Sequence, residues 1–308
     1  EATAPHWEKA LAQWLPDEQT RAFVQDAAGA SLCGAAFDEF WMFLYGDGAN
    51  GKSTFTRVLE WLFGDYAHKA QAETFMDCGR DRDRGKPSPE LLAMRGKRLV
   101  TVQETAQRHR LNEALIKDLT GRDTITARGV HEKNEVTFAP QFTLWMFGNH
   151  KPQIKDTSAG TWRRIRLIPF TQTIPENERD AQLSEKLKNE LSGILNWALV
   201  GFQRVKARGG FDVPEQVKAA TEAYRAESDA FARFFGECCE TSKTAFIPSK
   251  DLWTAWETFC DETGENKGTQ KSVGQALGRL GFSQQRAQVS GRQTRVWAGF
   301  RLKANPEI

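Results

Sequence analysis

The stretch Phe40-Trp41-Met42-Phe43-Leu44-Tyr45-Gly46-Asp47-Gly48-Ala49-Asn50-Gly51-Lys52-Ser53-Thr54 decides how this chain is read. Phe40 to Tyr45 is continuously apolar, the pattern of a strand buried on both faces of a parallel sheet. Gly46 to Ser53 fits GxxxxGK[ST] at every fixed position. After it, Phe55, Val58, Leu59 and Leu62 recur at helical spacing until Gly64. Strand, glycine-rich turn and helix in that order predict a phosphate-binding loop, whereas an ordinary surface turn would lack the flanking elements. The glycines allow a tight backbone path that aims N–H groups at phosphate oxygens, and the helix N-terminus adds its positive dipole end. Gly46, Asp47, Gly48, Ala49, Asn50, Gly51, Lys52, Ser53 and Thr54 are therefore the expected contacts to ATP. Lys52 is expected to reach the β and γ phosphates and Ser53 to ligate Mg²⁺ through its hydroxyl.

Further along, Leu99-Val100-Thr101-Val102 and Phe142-Thr143-Leu144-Trp145-Met146-Phe147 read as two more buried strands. Strands alternating with helices indicate an α/β sheet. An ATPase needs an acidic residue at the end of a neighbouring strand, to hold magnesium or polarise water. Glu104 stands there and is the expected catalytic base and a metal contact. Gln103 occupies the place where many ATPases carry a metal-binding Asp, which implies a weaker or water-mediated contact to magnesium. The strand from Phe142 ends in Gly148-Asn149, and Asn149 is placed to orient attacking water, although Asn at a strand end also forms turns.

Three segments follow from composition shifts and breakers. Residues 1–35 carry Trp7, Leu11, Trp14, Leu15, Phe23 and Val24 at spacings that suit short helices, a small helical collar. Residues 36–210 form the α/β core, closing with an amphipathic stretch from Arg179 to Arg208 before Gly209-Gly210 and Pro214. In residues 211–308, three helical patterns, at Asp229 to Cys239, Ser249 to Thr263 and Thr269 to Leu280, precede two short strands around Gly291. That order suggests a winged-helix-like domain.

The chain has 308 residues, 40% of them hydrophobic, and a net charge of +2, so any basic surface is local rather than global. Five cysteines without CxxC spacing read as reduced, mostly buried thiols and not as a zinc site. No apolar run reaches the roughly 18 residues of a membrane span and no signal-peptide pattern opens the chain, so a soluble, cytoplasmic protein is expected. The start at Glu1-Ala2-Thr3, without Met, is what a piece of a longer polypeptide or a processed end would give.

Taken in order, the loop GDGANGKS, the strand ending in Glu104, the segment Lys117 to Arg128, the strand ending in Asn149, and Thr161-Trp162-Arg163-Arg164 before Ile168-Pro169-Phe170 resemble superfamily 3 helicases. The likeness is strongest to the helicase part of phage and plasmid primases, related to the poxvirus primase-helicase. It covers about Phe37 to Phe170 well and the C-terminal region loosely. This resemblance implies an AAA+ fold, a hexameric ring and translocation along single-stranded DNA, 3′ to 5′, in replication of a phage, plasmid or other mobile element. It also implies that Asn149 is a sensor and that Arg163 or Arg164 is an arginine finger acting on the neighbouring subunit's ATP. Such a finger stabilises charge spreading over phosphoryl oxygens only when the ring is assembled. Two adjacent arginines beside Trp162 also suit a solvated edge.

Between Ile125 and Phe138 an alternating pattern flanks the polar tip Gly129-Val130-His131-Glu132-Lys133-Asn134, which predicts a β-hairpin. In the resembled helicases such a hairpin enters the central channel, so His131 and Lys133 are the expected DNA-backbone contacts. Glu132 and Glu135 dilute the charge, as they would on a hairpin that is merely exposed. Lys267, Lys271, Arg286, Arg292 and Arg295 in the C-terminal domain suit a replication fork or duplex, and suit a docking module as well. No primase-type carboxylate cluster is evident, and any priming activity is expected upstream of Glu1. A DNA-binding ATPase used as initiator or loader would share these motifs, and strand displacement separates the two. A small-molecule kinase shares only the phosphate loop.

Overall fold

Alternate residues of each buried strand leave for opposite faces of one sheet, and this fixes the layering of the larger part of the chain. Met42 and Leu44 join one apolar cluster with Trp145, Phe147 and Ile168, while Trp41 and Phe43 join a second with Leu144, Met146 and Leu167. The computed structural model describes residues 2–34, 38–77, 87–103, 110–156, 158–265, 267–289 and 291–304.

The helices and strands of the first part run in the order α1 (Pro5–Trp14), α2 (Glu18–Cys33), β1 (Trp41–Tyr45), α3 (Lys52–Phe63), β2 (Ala67–Ala70), α4 (Pro89–Leu92), β3 (Leu99–Gln103), α5 (Glu113–Thr120), β4 (Ile125–Ala127), β5 (Val136–Phe138), β6 (Thr143–Gly148), α6 (Ala159–Trp162), β7 (Ile165–Pro169), α7 (Leu183–Asn189), α8 (Leu191–Arg208) and α9 (Glu215–Ser228). Five strands form a parallel sheet in the order β2-β3-β6-β1-β7. The expected strands at 40–45, 99–102 and 142–147 are all there, and β2 and β7 complete the sheet. β4 and β5 pair antiparallel as the expected hairpin, with Ile125 opposite Phe138 and Ala127 opposite Val136.

Helix starts follow local chemistry. The Asp17 carboxylate accepts from the Thr20 amide at 2.7 Å to cap α2, and Asn112 Oδ1 accepts from the Leu115 amide at 3.0 Å to cap α5. Glu190, between α7 and α8, accepts from the amides of His6 and Trp7 at 3.1 and 3.0 Å and so caps α1 from a distance in sequence.

Two compact units divide the chain, Glu1–Tyr224 and Arg225–Ile308. The boundary lies later than the one expected after Gly210. Gly209-Gly210 and Pro214 turn the chain without ending the unit: Phe211 packs on Phe23 and Phe40, and Val217 and Tyr224 of α9 enter the two cores. The expected N-terminal collar is likewise part of the first unit. α2 and α8 approach so closely that a β-carbon on Gly29 would lie 2.2 Å from the Ala198 carbonyl oxygen.

The second unit has its own core around Phe234, Trp256, Phe259, Leu277 and Phe300. Its order is α10 (Ala230–Cys238), β8 (Cys239–Pro248), α11 (Ser249–Thr263), α12 (Gln270–Arg279), β9 (Gln284–Val289) and β10 (Arg292–Leu302). The three strands form one antiparallel sheet, β8-β10-β9, and a capping box of Thr269 and Ser272 starts α12. β8 is an addition to the expected three helices and two strands. Burial pushes the thiols of Cys239 and Cys260 up to about 12 and about 11, so these cysteines are unreactive packing residues at neutral pH.

Candidate nucleotide site

β1 delivers the chain to Gly46 at the carboxyl edge of the sheet, and α3 begins at Lys52. Two backbone positions make this turn possible. Gly46 has φ +153° and a β-carbon there would lie 2.1 Å from the Phe170 carbonyl oxygen; Gly51 has φ +90° and lies against Trp14. Ala49 also adopts a positive φ, 58°. Asn50 is buried and braces the loop from within, its amide donating to the Phe170 carbonyl at 2.8 Å. The N-cap of α3 is Gly51, which brings no side chain to cap it, and the first amide groups of the helix face the loop.

The Lys52 ammonium, 4% exposed, donates to the Asp47 carbonyl and to Asn50 Oδ1, both at 2.9 Å, and to the Gly46 carbonyl. Burial pushes its pKa down to about 8, against the opposing pull of Asp47. A cation held by neutral oxygens in a dry place is poised to exchange them for an anion.

A cavity of about 410 Å³ opens over the loop and is lined by Gly48 to Thr54, by Gln103 from the end of β3, and by Phe147, Gly148, Asn149 and His150 from the end of β6. The strand order explains the meeting. β6 lies between β1 and β3, so Asn149 emerges between the phosphate loop and Gln103. Glu104 lies outside the described residues. Ser53 is exposed at the helix start, and the described residues contain no cluster of three or more His, Cys, Asp or Glu that would hold a metal by itself. That donor set fits magnesium carried on a nucleotide, which needs few protein ligands and keeps its waters.

The other expected residues are elsewhere. Arg163 and Arg164 precede β7, whose start pairs with Trp41 at the amino edge of the sheet. A five-residue strand spans about 16 Å, so the length of β1 separates both guanidinium groups from the cavity of this chain. The two arginines also differ. The Arg164 side chain is 13% exposed and donates to Glu39 at 2.5 Å, whereas Arg163 is 67% exposed and touches Glu39 only at 3.3 Å. His131 and Lys133 are exposed at the hairpin tip, where His131 has φ +63° and its neighbour Val130 is an exposed apolar side chain.

The sequence reading did not single out two residues around this site and one away from it. His150 lines the cavity and Trp14 supports Gly51, while Asp156, outside the cavity lining, gathers the segment before Arg163. Only His150 had a local signal, its place after Asn149.

By fold and by site, then, this is an α/β protein with a glycine-rich loop opening at the carboxyl edge of a parallel sheet. Residues 44–164 match a family of unknown function, DUF5906, and residues 226–300 match a poxvirus D5 protein-like family. The chain is 27% identical over 317 aligned residues to a helicase candidate of frog virus 3 (isolate Goorha), covering 96% of this chain and 31% of that protein. A helicase candidate of Acanthamoeba polyphaga mimivirus is 30% identical over 239 residues, which is 72% of this chain and 24% of that one. A primase candidate of African swine fever virus (isolate Tick/Malawi/Lil 20-1/1983) is 25% identical over 253 residues, 77% of this chain and 26% of the relative. The chain thus spans about a quarter to a third of the length of these three relatives. In fold it is similar to the apo structure of the NrS-1 C-terminal region, with a TM-score of 0.58 at 14% identity, over 97% of this chain and 76% of that one. Among the described residues no helix is long and apolar enough to cross a membrane.

Proposed function

We propose that this chain is the ATP-hydrolysing, DNA-translocating part of a larger replicative helicase-primase, an AAA+ superfamily 3 helicase that works as a hexameric ring on single-stranded DNA. The observation that carries the reading is the strand order: β6, followed directly by Asn149, lies between the phosphate-loop strand β1 and β3, and the residues at the ends of β3 and β6 line the cavity over the loop. Names given to the viral relatives, helicase and primase candidates, support the same role.

In this reading Lys52 exchanges its carbonyl partners for the β and γ phosphates, and the loop amides with the α3 N-terminus hold the remaining phosphate charge. Ser53 and Glu104 are the residues that would hold Mg²⁺, which supplies charge neutralisation between phosphate oxygens when bound. Glu104 takes the proton of the attacking water and Asn149 orients that water. Arg163 is the finger: it is exposed at the amino edge of the sheet, far from its own cavity, while the Glu39 contact and burial of Arg164 suit a structural post. His131 and Lys133 on the hairpin tip contact DNA phosphates without reading sequence.

The second unit, with a helix-strand-helix-helix-strand-strand order, is a winged-helix-like DNA-binding domain. Arg286 and Arg295 sit directly opposite each other across β9 and β10, an unfavourable like-charge pair that an anionic partner relieves. The Lys267 ammonium is engaged by Asp261 at 2.9 Å, so Lys271 and the wing arginines remain as the better phosphate contacts.

ATP turnover with and without single-stranded DNA, on wild type and Lys52→Ala, together with particle mass by light scattering, tests the proposal. Turnover that needs Lys52, rises with DNA and accompanies a particle of six subunits supports it. Turnover by a monomer, indifferent to DNA, sinks it.

A further inference from the structure

Asp156 holds together parts of the first unit that the function above keeps separate. Its carboxylate accepts from Lys117 Nζ of α5 at 2.6 Å, from the Thr161 hydroxyl of α6 at 2.6 Å and from the Ser158 amide at 2.8 Å. Its backbone carbonyl accepts from Trp162 Nε1 at 2.9 Å. One turn earlier on α5, the Glu113 carboxylate accepts from the amides of Lys155 and Asp156 at 2.7 and 3.3 Å. Two residues of one α5 face, four positions apart, therefore grip the same short segment.

The two sides of this clamp lead to different functional elements. α5 ends at Thr120 and its chain enters the β4–β5 hairpin at Ile125. α6 ends at Trp162 and the next residue is Arg163. Burial alone would raise the Asp156 carboxyl, yet the bonds from Lys117, Thr161 and Ser158 outweigh it and hold the group well below the usual carboxylate range. It is therefore an anion at neutral pH. Neither Lys117 nor Asp156 lines the nucleotide cavity, so the cluster is not part of phosphate binding.

We propose that Asp156 is a positioning residue that couples the DNA-facing hairpin to the arginine turn, with Lys117 as its hairpin-side arm and Thr161 as its arginine-side arm. This rests on the translocase reading. A shift of the hairpin on DNA displaces α5, and Lys117 passes the displacement through Asp156 to the turn that sets Arg163. Removing the Lys117 arm leaves the arginine turn held by Thr161, Trp162 and Ser158 and leaves α5 tied to the segment's backbone through Glu113, so it breaks the side-chain link from α5 to the Asp156 carboxylate without dismantling either element.

The test is ATP turnover of the full chain with and without an oligothymidylate, alongside oligothymidylate affinity, for wild type, Lys117→Met, Lys117→Arg and Thr161→Val. Lys117→Met is expected to keep DNA-free turnover and DNA affinity within about twofold while its stimulation by DNA falls about tenfold, a usual size for coupling between sites. Lys117→Arg restores the stimulation. Thr161→Val lowers turnover both with and without DNA. Full stimulation in Lys117→Met, or an equal loss of DNA-free and stimulated turnover, would overturn the coupling role. Wild-type turnover indifferent to DNA would instead bring down the translocase reading, and this inference with it, before any variant is compared.

Discussion

The indole of Trp14 lies directly against Gly51, so close that a β-carbon on Gly51 would come within 2.3 Å of the ring. The phosphate loop is thus shaped from beneath by the first helix of the chain. Trp14 is 1% exposed and stands edge-on to Trp7, which stacks on Phe55 of α3 at 5.5 Å. Trp14→Ala is expected to cost about 3–5 kcal/mol and to lower the melting temperature by roughly 10 °C for a unit of this size. ATP affinity should drop with it, since α1 no longer holds the loop. A fluorimetric melt with and without ATP checks both. An unchanged ATP-induced shift in Trp14→Ala would mean that α1 only stabilises the fold.

Lys52 is expected to make nucleotide binding pH-dependent. Its folded-state pKa is pushed below the ordinary lysine value, to about 8, chiefly by burial. Bound phosphate favours the charged form, so above about pH 8 binding takes up a proton and affinity falls as pH rises, by at most about tenfold per pH unit. The sign for folding is opposite. Between the folded pKa and the ordinary lysine value the unfolded chain binds more protons, so this group's contribution to stability rises with pH over that window. Calorimetric titration in two buffers of different ionisation enthalpy at pH 7 and pH 9 reads the proton uptake, and Lys52→Ala should abolish whatever binding remains pH-dependent. Equal proton counts at both pH values would contradict the assignment.

Arg163 and Arg164 should separate cleanly under mutation. Arg163→Ala is expected to leave ATP binding and the fold intact and to lower turnover by about 10³-fold, the usual effect of losing an arginine finger. Arg164→Ala breaks the contact with Glu39 at a poorly exposed position and should mainly reduce thermal stability. Mixing Lys52→Ala subunits with Arg163→Ala subunits provides the decisive reading. On the finger assignment each variant lacks a different half of a shared site, so mixed assemblies are expected to regain turnover that neither has alone. No regain would place the finger elsewhere.

How much of this was legible depended on distance in sequence. The phosphate loop, β1 and α3 are specified within a few residues of one another, and the apolar runs of β3 and β6 have no other use than a doubly covered sheet. β2 was not legible, because Ala67-His68-Lys69-Ala70 is an edge strand without an apolar run, and β7 was obscured by the arginines around Ile165. β8 reads as polar because half of its residues are exposed in the second unit. The support of Gly51 by Trp14, the capping of α1 by Glu190 and the clamp at Asp156 each join distant segments, which no local pattern encodes. The boundary after Gly210 went astray for a related reason: breakers mark a turn of the chain, while only the later burial of Val217 and Tyr224 tells that the chain returns to the same core.

The contact of α2 with α8 offers a test in which two physical effects have opposite signs. Gly29 and Gly201 lie inside helices, where replacement by Ala gains up to about 1 kcal/mol of helix propensity per site. At Gly29, however, a β-carbon would lie 2.2 Å from the Ala198 carbonyl oxygen and 2.4 Å from the Phe202 amide nitrogen, and at Gly201 it would lie 2.3 Å from the Gln25 carbonyl oxygen. These are backbone atoms of a packed partner helix and cannot swing aside as a side chain can. Overpacking of this kind costs about 1–3 kcal/mol or more, so packing wins and Gly29→Ala is expected to destabilise the first unit. Gly209→Ala is a poor control, because Gly209 ends α8 at φ +73° and its strain is conformational. Gly236→Ala in α10 is the better one, since no atom of the described residues lies within 4 Å of a β-carbon there. Urea unfolding of the two variants should move in opposite directions, Gly29→Ala toward lower midpoints and Gly236→Ala toward equal or higher ones. A stabilised Gly29→Ala would mean that α2 and α8 have room to part, and that the N-terminal helices are held on the core less tightly than their backbones indicate.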